Sequence, residues 1–367
     1  MDFKKRAMNP NSKTPTASGS GKWTGEAPEK IHYTVLLTGA SGLLGANVAH
    51  ELVRRGYRLK VLMRQHSDRR GISGLPCEIA LGDLTEPETL EQAVNGCDAL
   101  VHGAAITSIW PTSLKYFADV NVRGTQWIVE AAQRNGIKKM VHISTANTIG
   151  SGTKEKPGTE ADGFNMSRFH SGYIDSKFLA EQYVLQQVEK KGLPAVIVNP
   201  TFMLGAFDLK PSSGKLLLHA KQSRVQMIPP GGKNFIHARD AAIGVCNALE
   251  TGVPGERYLL AGENLSYQEF FDLVNRITGA RALQVPLPAF LLKPVGWLGS
   301  KWGMLRGKAS FNYVTARLSC HPGYYSGGKA VKELKLPQTA VEEAIKEALK
   351  WFEQEPYKAH KSQIELA

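Results

Sequence analysis

Residues 32–45 read HYTVLLTGASGLLG: a short run of strand-forming residues that stops at a glycine and gives way at once to a helical pattern. Val35, Leu36 and Leu37 suit a strand buried on both faces. The following GLLGANVAHELVRRG, residues 42–56, carries its apolar residues at helical spacing. Gly39, Gly42 and Gly45 stand at the junction, each three residues from the next. Gly39 permits a tight turn, Gly42 lets a pyrophosphate approach the backbone, and Gly45 lets the helix pack closely on the strand. The free N–H groups and dipole of the helix N-terminus favour an anion there. A glycine triplet alone is weak evidence; its place between a strand and a helix gives it weight. Ser41, Leu43 and Leu44 fall between these glycines and are expected to contact the same ligand.

The same alternation continues outward. RLKVLMR (58–64), CEIALGD (77–83), CDALVHGAA (97–105), KKMVHIST (138–145) and PAVIVNP (194–200) read as strands. The segments between them, including PETLEQAVNG, SLKYFADVNVRGTQWIVEAAQRNG and SKFLAEQYVLQQVEKKG, read as helices. Parallel strands need crossovers of that length, so the pattern predicts an α/β domain with a doubly wound parallel sheet covered on both faces. After Pro200 the rhythm breaks, and residues 201–234, with KPSSGK and PPGGK, read as an irregular insertion. RDAAIGVCNALE and RYLLAG then return to the pattern. The expected division is 31–200 plus 235–262 for the sheet domain, and 201–234 plus 263–367 for a smaller, mainly helical C-terminal substrate-binding cap.

The chain of 367 residues is 42% apolar and 21% charged, an ordinary globular composition that excludes collagen-like, disulfide-stapled and wholly disordered classes. At about 150 residues per domain it has room for two or three. Residues 1–30 are rich in Ser, Thr, Pro, Gly and Lys and read as a disordered leader with no secretory h-region. Cys77, Cys97, Cys246 and Cys320 form no close pair. That spacing gives no zinc knuckle, metal site or disulfide framework and fits a reducing, cytoplasmic setting. Of the net charge of +12, residues 1–30 supply three, and the rest is read as spread over the body without a dense basic block, so no nucleic-acid partner is expected. LPAFLLKPVGWLGSKWGML (287–305) is interrupted by Lys293, Pro294 and Lys301 short of a membrane span. It is read as a buried cap helix lining a substrate pocket in preference to an interfacial helix, and membrane association is not expected.

About 20 residues past the glycines, where NAD-binding sites carry a carboxylate for the ribose 2′-hydroxyl, this chain has Arg64, followed by His66, Arg69 and Arg70. A guanidinium pairs with a 2′-phosphate, so NADP(H) is expected over NAD(H). Asp83, with Leu84 beside it, is placed either to hydrogen-bond an adenine amine or to cap a turn. Ala104 and Ala105 are small enough to leave room for the cofactor. In YIDSK, Tyr173 and Lys177 are four apart on one helix face. A lysine there is expected to lower the tyrosine pKa and make the phenol a usable acid or base. HIST brings Ser144 and Thr145 to the sheet's carboxyl edge, where a hydroxyl polarises a substrate carbonyl.

Together these residues resemble the extended short-chain dehydrogenase/reductase superfamily (NAD-dependent epimerase/dehydratase), a Rossmann-fold group, over nearly all of 31–355. TGASGLLG matches its glycine motif, YIDSKFLAE its Tyr-x-x-x-Lys segment, NVRGT (121–125) its helix motif and NPTFMLG (199–205) its sixth-strand exit. The resemblance implies Tyr173 as acid/base, Lys177 also on the nicotinamide ribose, Thr145 rather than Ser144 as the catalytic hydroxyl, Asn199 and Pro200 near the cofactor, and a homodimer. VLMRQHSDRR, IVNPTFMLGAFDLKPSSGK and GERYLLAGENLSYQEF are similar to the dihydroflavonol 4-reductase-like and 3β-hydroxysteroid dehydrogenase-like group. The expected activity is NADP(H)-dependent interconversion of a carbonyl and an alcohol on a small hydrophobic substrate, with Phe202, Met203, Phe207, Trp297 and Trp302 as candidate pocket lining. A nucleotide-sugar epimerase or dehydratase is the alternative enzyme, and a catalytically silent cofactor sensor the alternative class.

Overall fold

The structure, a computed structural model, describes residues 33–108, 110–306 and 311–354; the expected leader lies outside the described residues. Its strands are β1 (Thr34–Thr38), β2 (Arg58–Met63), β3 (Cys77–Leu81), β4 (Ala99–His102), β5 (Lys139–Ile143), β6 (Ala195–Pro200), β7 (Phe202–Leu204), β8 (Val225–Ile228), β9 (Gly232–His237), β10 (Arg257–Leu260), β11 (Glu263–Ser266), β12 (Leu283–Pro286) and β13 (Pro322–Gly323). The helices are α1 (Leu43–Arg54), α2 (Pro87–Val94), α3 (Leu114–Phe117), α4 (Gly124–Arg134), α5 (Gly172–Lys191), α6 (Gly214–Gln222), α7 (Ala238–Thr251), α8 (Tyr267–Thr278), α9 (Ala289–Arg306), α10 (Tyr313–Ser319), α11 (Gly328–Leu334) and α12 (Val341–Phe352).

Seven strands form one parallel sheet in the order β10-β6-β5-β4-β1-β2-β3. The order reverses direction between β1 and β4, and the crevice above their carboxyl ends is where such sheets bind ligands. Alternation along β1 explains its continuous apolar run. Val35 and Leu37 join Val48 and Leu52 of α1 and Val245 of α7 on one face, while Leu36 joins Leu90 of α2, Ile128 of α4 and Val184 of α5 on the other. The expected long helix over residues 113–136 is α3 and α4 joined by a π-helical turn at Ala118–Arg123. Such turns insert an extra residue and commonly occur at functional sites.

Residues 201–234 are not an irregular insertion: they hold β7, α6, β8 and the start of β9. Glycine- and proline-rich turns between short elements hid them. The turn before α6, for example, is built by the Asp208 carboxylate accepting from the Ser212 and Gly214 N–H groups. Strand β9 pairs with β7 and β13 in parallel and with β11 antiparallel, making a second sheet, while β8 pairs with β12. Phe235–His237 therefore lie in this second sheet, whereas the sequence pattern places them with the first. The smaller C-terminal region has its own core, in which Phe235 of β9 stacks on Phe270 of α8 with centroids 4.6 Å apart beside Leu217 of α6 and Ile345 of α12.

The segment 289–306 departs furthest from expectation. It is a helix, α9, but not a buried one: Trp297 and Trp302 are 54% and 57% exposed and cannot line an interior pocket. Among the described residues, Leu292 and the glycines on the same face are the covered ones, because the helix packs mainly on α10 along one stripe. Among the described residues, no helix is long and apolar enough to cross a membrane.

Candidate active site

The loop from β1 to α1 divides labour among its three glycines. Gly39 has φ +86°, and a Cβ there would lie 2.8 Å from the Gly103 and Ala104 backbone, so the β1 and β4 loops touch backbone to backbone. A Cβ at Gly45 would sit 2.0 Å from the Gly39 carbonyl oxygen, which locks helix to turn. At Gly42 the nearest atom would be 3.5 Å away, so the protein itself does not require glycine there. Gly42 is the exposed N-cap residue just before α1, no side chain caps the helix, and the first turn carries no acid. An open, uncapped helix N-terminus of this kind fits a dinucleotide pyrophosphate. Ser41 is exposed at the same mouth, whereas Leu43 and Leu44 are buried beneath it.

The other expected residues reach the same edge, with different roles. Arg64 follows β2 with 74% of its side chain exposed, and its Nε lies 3.9 Å from Asp83 Oδ2. Asp83 follows β3, and its Oδ1 accepts from the Thr85 N–H at 2.9 Å and hydroxyl at 2.8 Å, so it does cap a turn. Leu84 is buried against Gly124. Ala104 and Ala105, half-buried, follow β4, and the Ala104 N–H donates to the Thr38 hydroxyl.

Ser171 caps α5 and starts it so that Tyr173 and Lys177 project from its first turns. Tyr173 and Thr145 come together at this edge: burial raises the phenol pKa, and the neighbouring Thr145 hydroxyl pulls partly the other way. Ser144 is turned aside, 3.4 Å from the Thr148 hydroxyl. Lys177 Nζ donates to the Ile143 carbonyl at 2.8 Å. Burial lowers its pKa to about 8, opposed by Glu181. The expected lowering of Tyr173 by Lys177 is therefore not found. Lys177 directs one of its N–H groups to the β5 carbonyl, and burial dominates the phenol.

Asn199 is fully buried rather than facing the crevice. Its amide donates to Glu181 Oε2 at 2.8 Å, the Thr148 hydroxyl at 3.0 Å and the Thr145 carbonyl at 3.2 Å. It braces the Thr145 loop from below, and Pro200 follows it at the end of β6. In the sequence Asn121 stands out only as the first residue of NVRGT. It lies in the π-turn, accepts from the Ile106 N–H at 2.8 Å and donates to the Ser176 hydroxyl at 2.9 Å. It thereby ties the β4 loop to α5 one residue before Lys177. A buried asparagine inside a helical pattern was the available signal. Beneath them lie His102, whose pKa burial and Lys177 depress to about 3, and His142, lowered by the same causes and by His102. Both stay neutral. Among the described residues, no group of three or more His, Cys, Asp or Glu could hold a metal ion.

Comparison with known proteins agrees with this arrangement. The model of the NAD dependent epimerase/dehydratase family matches residues 35–261. A putative dihydroflavonol 4-reductase of Synechocystis sp. is 32% identical over 88% of this chain and 95% of its own length. The sterol demethylase protein B of Methylococcus capsulatus is 30% identical over 87% and 98%. A nucleoside-diphosphate-sugar epimerase from Pseudomonas aeruginosa shares the fold, with a TM-score of 0.71 at 23% identity over 88% of this chain and 98% of that one. With the glycine cradle, the parallel sheet and the Tyr173–Thr145 pair at one edge, the chain belongs to the NAD dependent epimerase/dehydratase family and is an NAD(P)-dependent oxidoreductase of the extended short-chain dehydrogenase/reductase type.

Proposed function

We propose that this enzyme interconverts a carbonyl and an alcohol on a small hydrophobic substrate with NADP(H). The observation that carries the reading is the convergence of Tyr173 and Thr145 at the carboxyl edge of the sheet, beside the open N-terminus of α1. Gly39, Ser41, Gly42 and Gly45 would hold the pyrophosphate, Arg64 the 2′-phosphate and Lys177 the nicotinamide ribose. When bound, NADP(H) supplies or accepts the hydride. Thr145 holds the substrate oxygen, and Tyr173 gives it a proton in reduction or takes one in oxidation. Burial keeps the phenol protonated at neutral pH, which suits the donor role in reduction. Positioning of the two reacting carbons contributes much of the rate.

Arg64 supports the NADP(H) preference because no carboxylate is hydrogen-bonded to its exposed guanidinium and Asp83 is only at the limit of an ion pair. A hydrophobic substrate is favoured by two relatives whose names carry a dihydroflavonol and a sterol, and by the half-buried Phe202 and Met203 of β7, which follows directly on β6. The substrate would lie between the sheet domain and the cap, with the whole of β9 counted to the cap. Turnover of NADPH with a panel of apolar ketones, followed at the cofactor's absorbance, tests the reading. Tyr173→Phe should cost about 10²–10⁴-fold in kcat with NADPH affinity retained, and full activity in that variant would refute the assigned role. Interconversion of a nucleotide sugar without net cofactor consumption would instead establish an epimerase.

A further inference from the structure

Helix α9 is apolar on nearly every side, and among the described residues its main packing partner is α10. Its inward stripe is closed by α10, where a Cβ at Gly296 would meet the Ala316 side chain at 2.5 Å. The outward side presents Phe290, Leu291, Leu298 and Leu305, with Phe290 70%, Leu298 60% and Leu305 83% exposed. A helix hydrophobic all round normally has something on every side. The strand pair leading into it continues the exposure: Leu283 pairs with Val225 and Val285 with Met227, and all four are exposed while Gln226 and Ile228 between them are buried. An apolar area of this extent marks an interaction surface.

Charge identifies what covers it. No Asp or Glu occurs from residue 273 to residue 332, a stretch that holds nine Lys and Arg. The basic excess is therefore concentrated here rather than spread over the body. Lys301 lies over the Trp297 ring at 5.5 Å, a pairing suited to a boundary between apolar and aqueous phases. Beside the helix, a cleft of about 300 Å³ is lined by Arg168, Lys293, Arg317 and His321 together with Phe169 and Cys320. It contains no carboxylate. A second copy docked by a two-fold axis through α9 would bring this basic, acid-free stretch of chain against itself, like charge on like.

We propose that α9 and the β8–β12 pair seat the protein on an anionic phospholipid surface. The outward apolar side chains enter the acyl boundary, while Lys301, Lys293 and the cleft meet headgroup phosphates. The association is peripheral and does not depend on the proposed reaction, so it is read without turnover. The full chain is sedimented with vesicles of phosphatidylcholine containing about one third phosphatidylglycerol, and with vesicles of phosphatidylcholine alone. Binding should be about tenfold or more stronger on the anionic vesicles and should fall in high salt. Leu298→Glu with Leu305→Glu, both at exposed positions, should weaken it about tenfold or more with an unchanged melting temperature, and Lys293→Glu should weaken it on anionic vesicles only. The proposal is overturned if the chain stays in the supernatant with anionic vesicles or if the double variant sediments like the parent. It is equally overturned if size measurements in vesicle-free buffer reveal a dimer that the double variant dissolves, which would assign the face to a second copy.

Discussion

Lys177 and Tyr173 sit one helical turn apart, and burial drives both toward their neutral forms: the phenol upward, the ammonium down to about 8. A lysine with a lowered folded-state pKa costs stability while it must be charged, below about pH 8. Between that value and the ordinary lysine value of 10.5 the folded protein has released the proton and the unfolded chain has not, so stability rises with pH across that window. Urea unfolding of the parent and of Lys177→Met at several pH values should therefore show the parent gaining about 3 kcal/mol on the variant between pH 7 and the top of the window. A constant gap would mean that Lys177 is not held in a desolvated site. Arg64 makes the cofactor prediction at the same scale. Arg64→Glu should reverse or abolish the preference for NADPH over NADH, measured as the ratio of kcat/KM values, because a carboxylate repels a 2′-phosphate and accepts from a 2′-hydroxyl.

At the scale of elements, the junction of β1 and α1 separates folding from binding within seven residues. Gly45→Ala forces a methyl group into the Gly39 carbonyl and should destabilise the protein by about 1–3 kcal/mol or more, seen as a lowered melting temperature. Gly42→Ala meets no protein atom closer than 3.5 Å. It should leave the melting temperature nearly unchanged while weakening NADPH binding by about tenfold, a change of about 1.4 kcal/mol read by fluorescence or calorimetric titration. If both variants melted alike and bound alike, the division of roles among the glycines would be wrong. The π-turn is a second device of this kind. By widening one turn between α3 and α4, it leaves Asn121 able to join the β4 loop to α5.

For the whole molecule, a parallel sheet gathers distant residues because every strand ends on the same edge. Gly39 and Thr145 are 106 positions apart in the chain, yet each follows a strand in the same sheet. That sheet is legible in one dimension, since buried parallel strands are apolar throughout and their crossover helices carry a 3.6-residue period. So are the glycine turn and the Tyr-x-x-x-Lys pair, whose spacing is local. The second sheet was hidden because its strands are only two to six residues long and lie among turn-forming residues. Only the tertiary structure decided how individual groups are used. Asn199 is consumed below the site, Asp83 holds a turn, and Lys177 binds the Ile143 carbonyl, because competition for hydrogen-bond partners is settled by neighbours far away in sequence. It likewise decided the fate of residues 289–306. Composition fixes that this helix is apolar, but exposure depends on how many neighbours reach it, and among the described elements its main neighbour is α10.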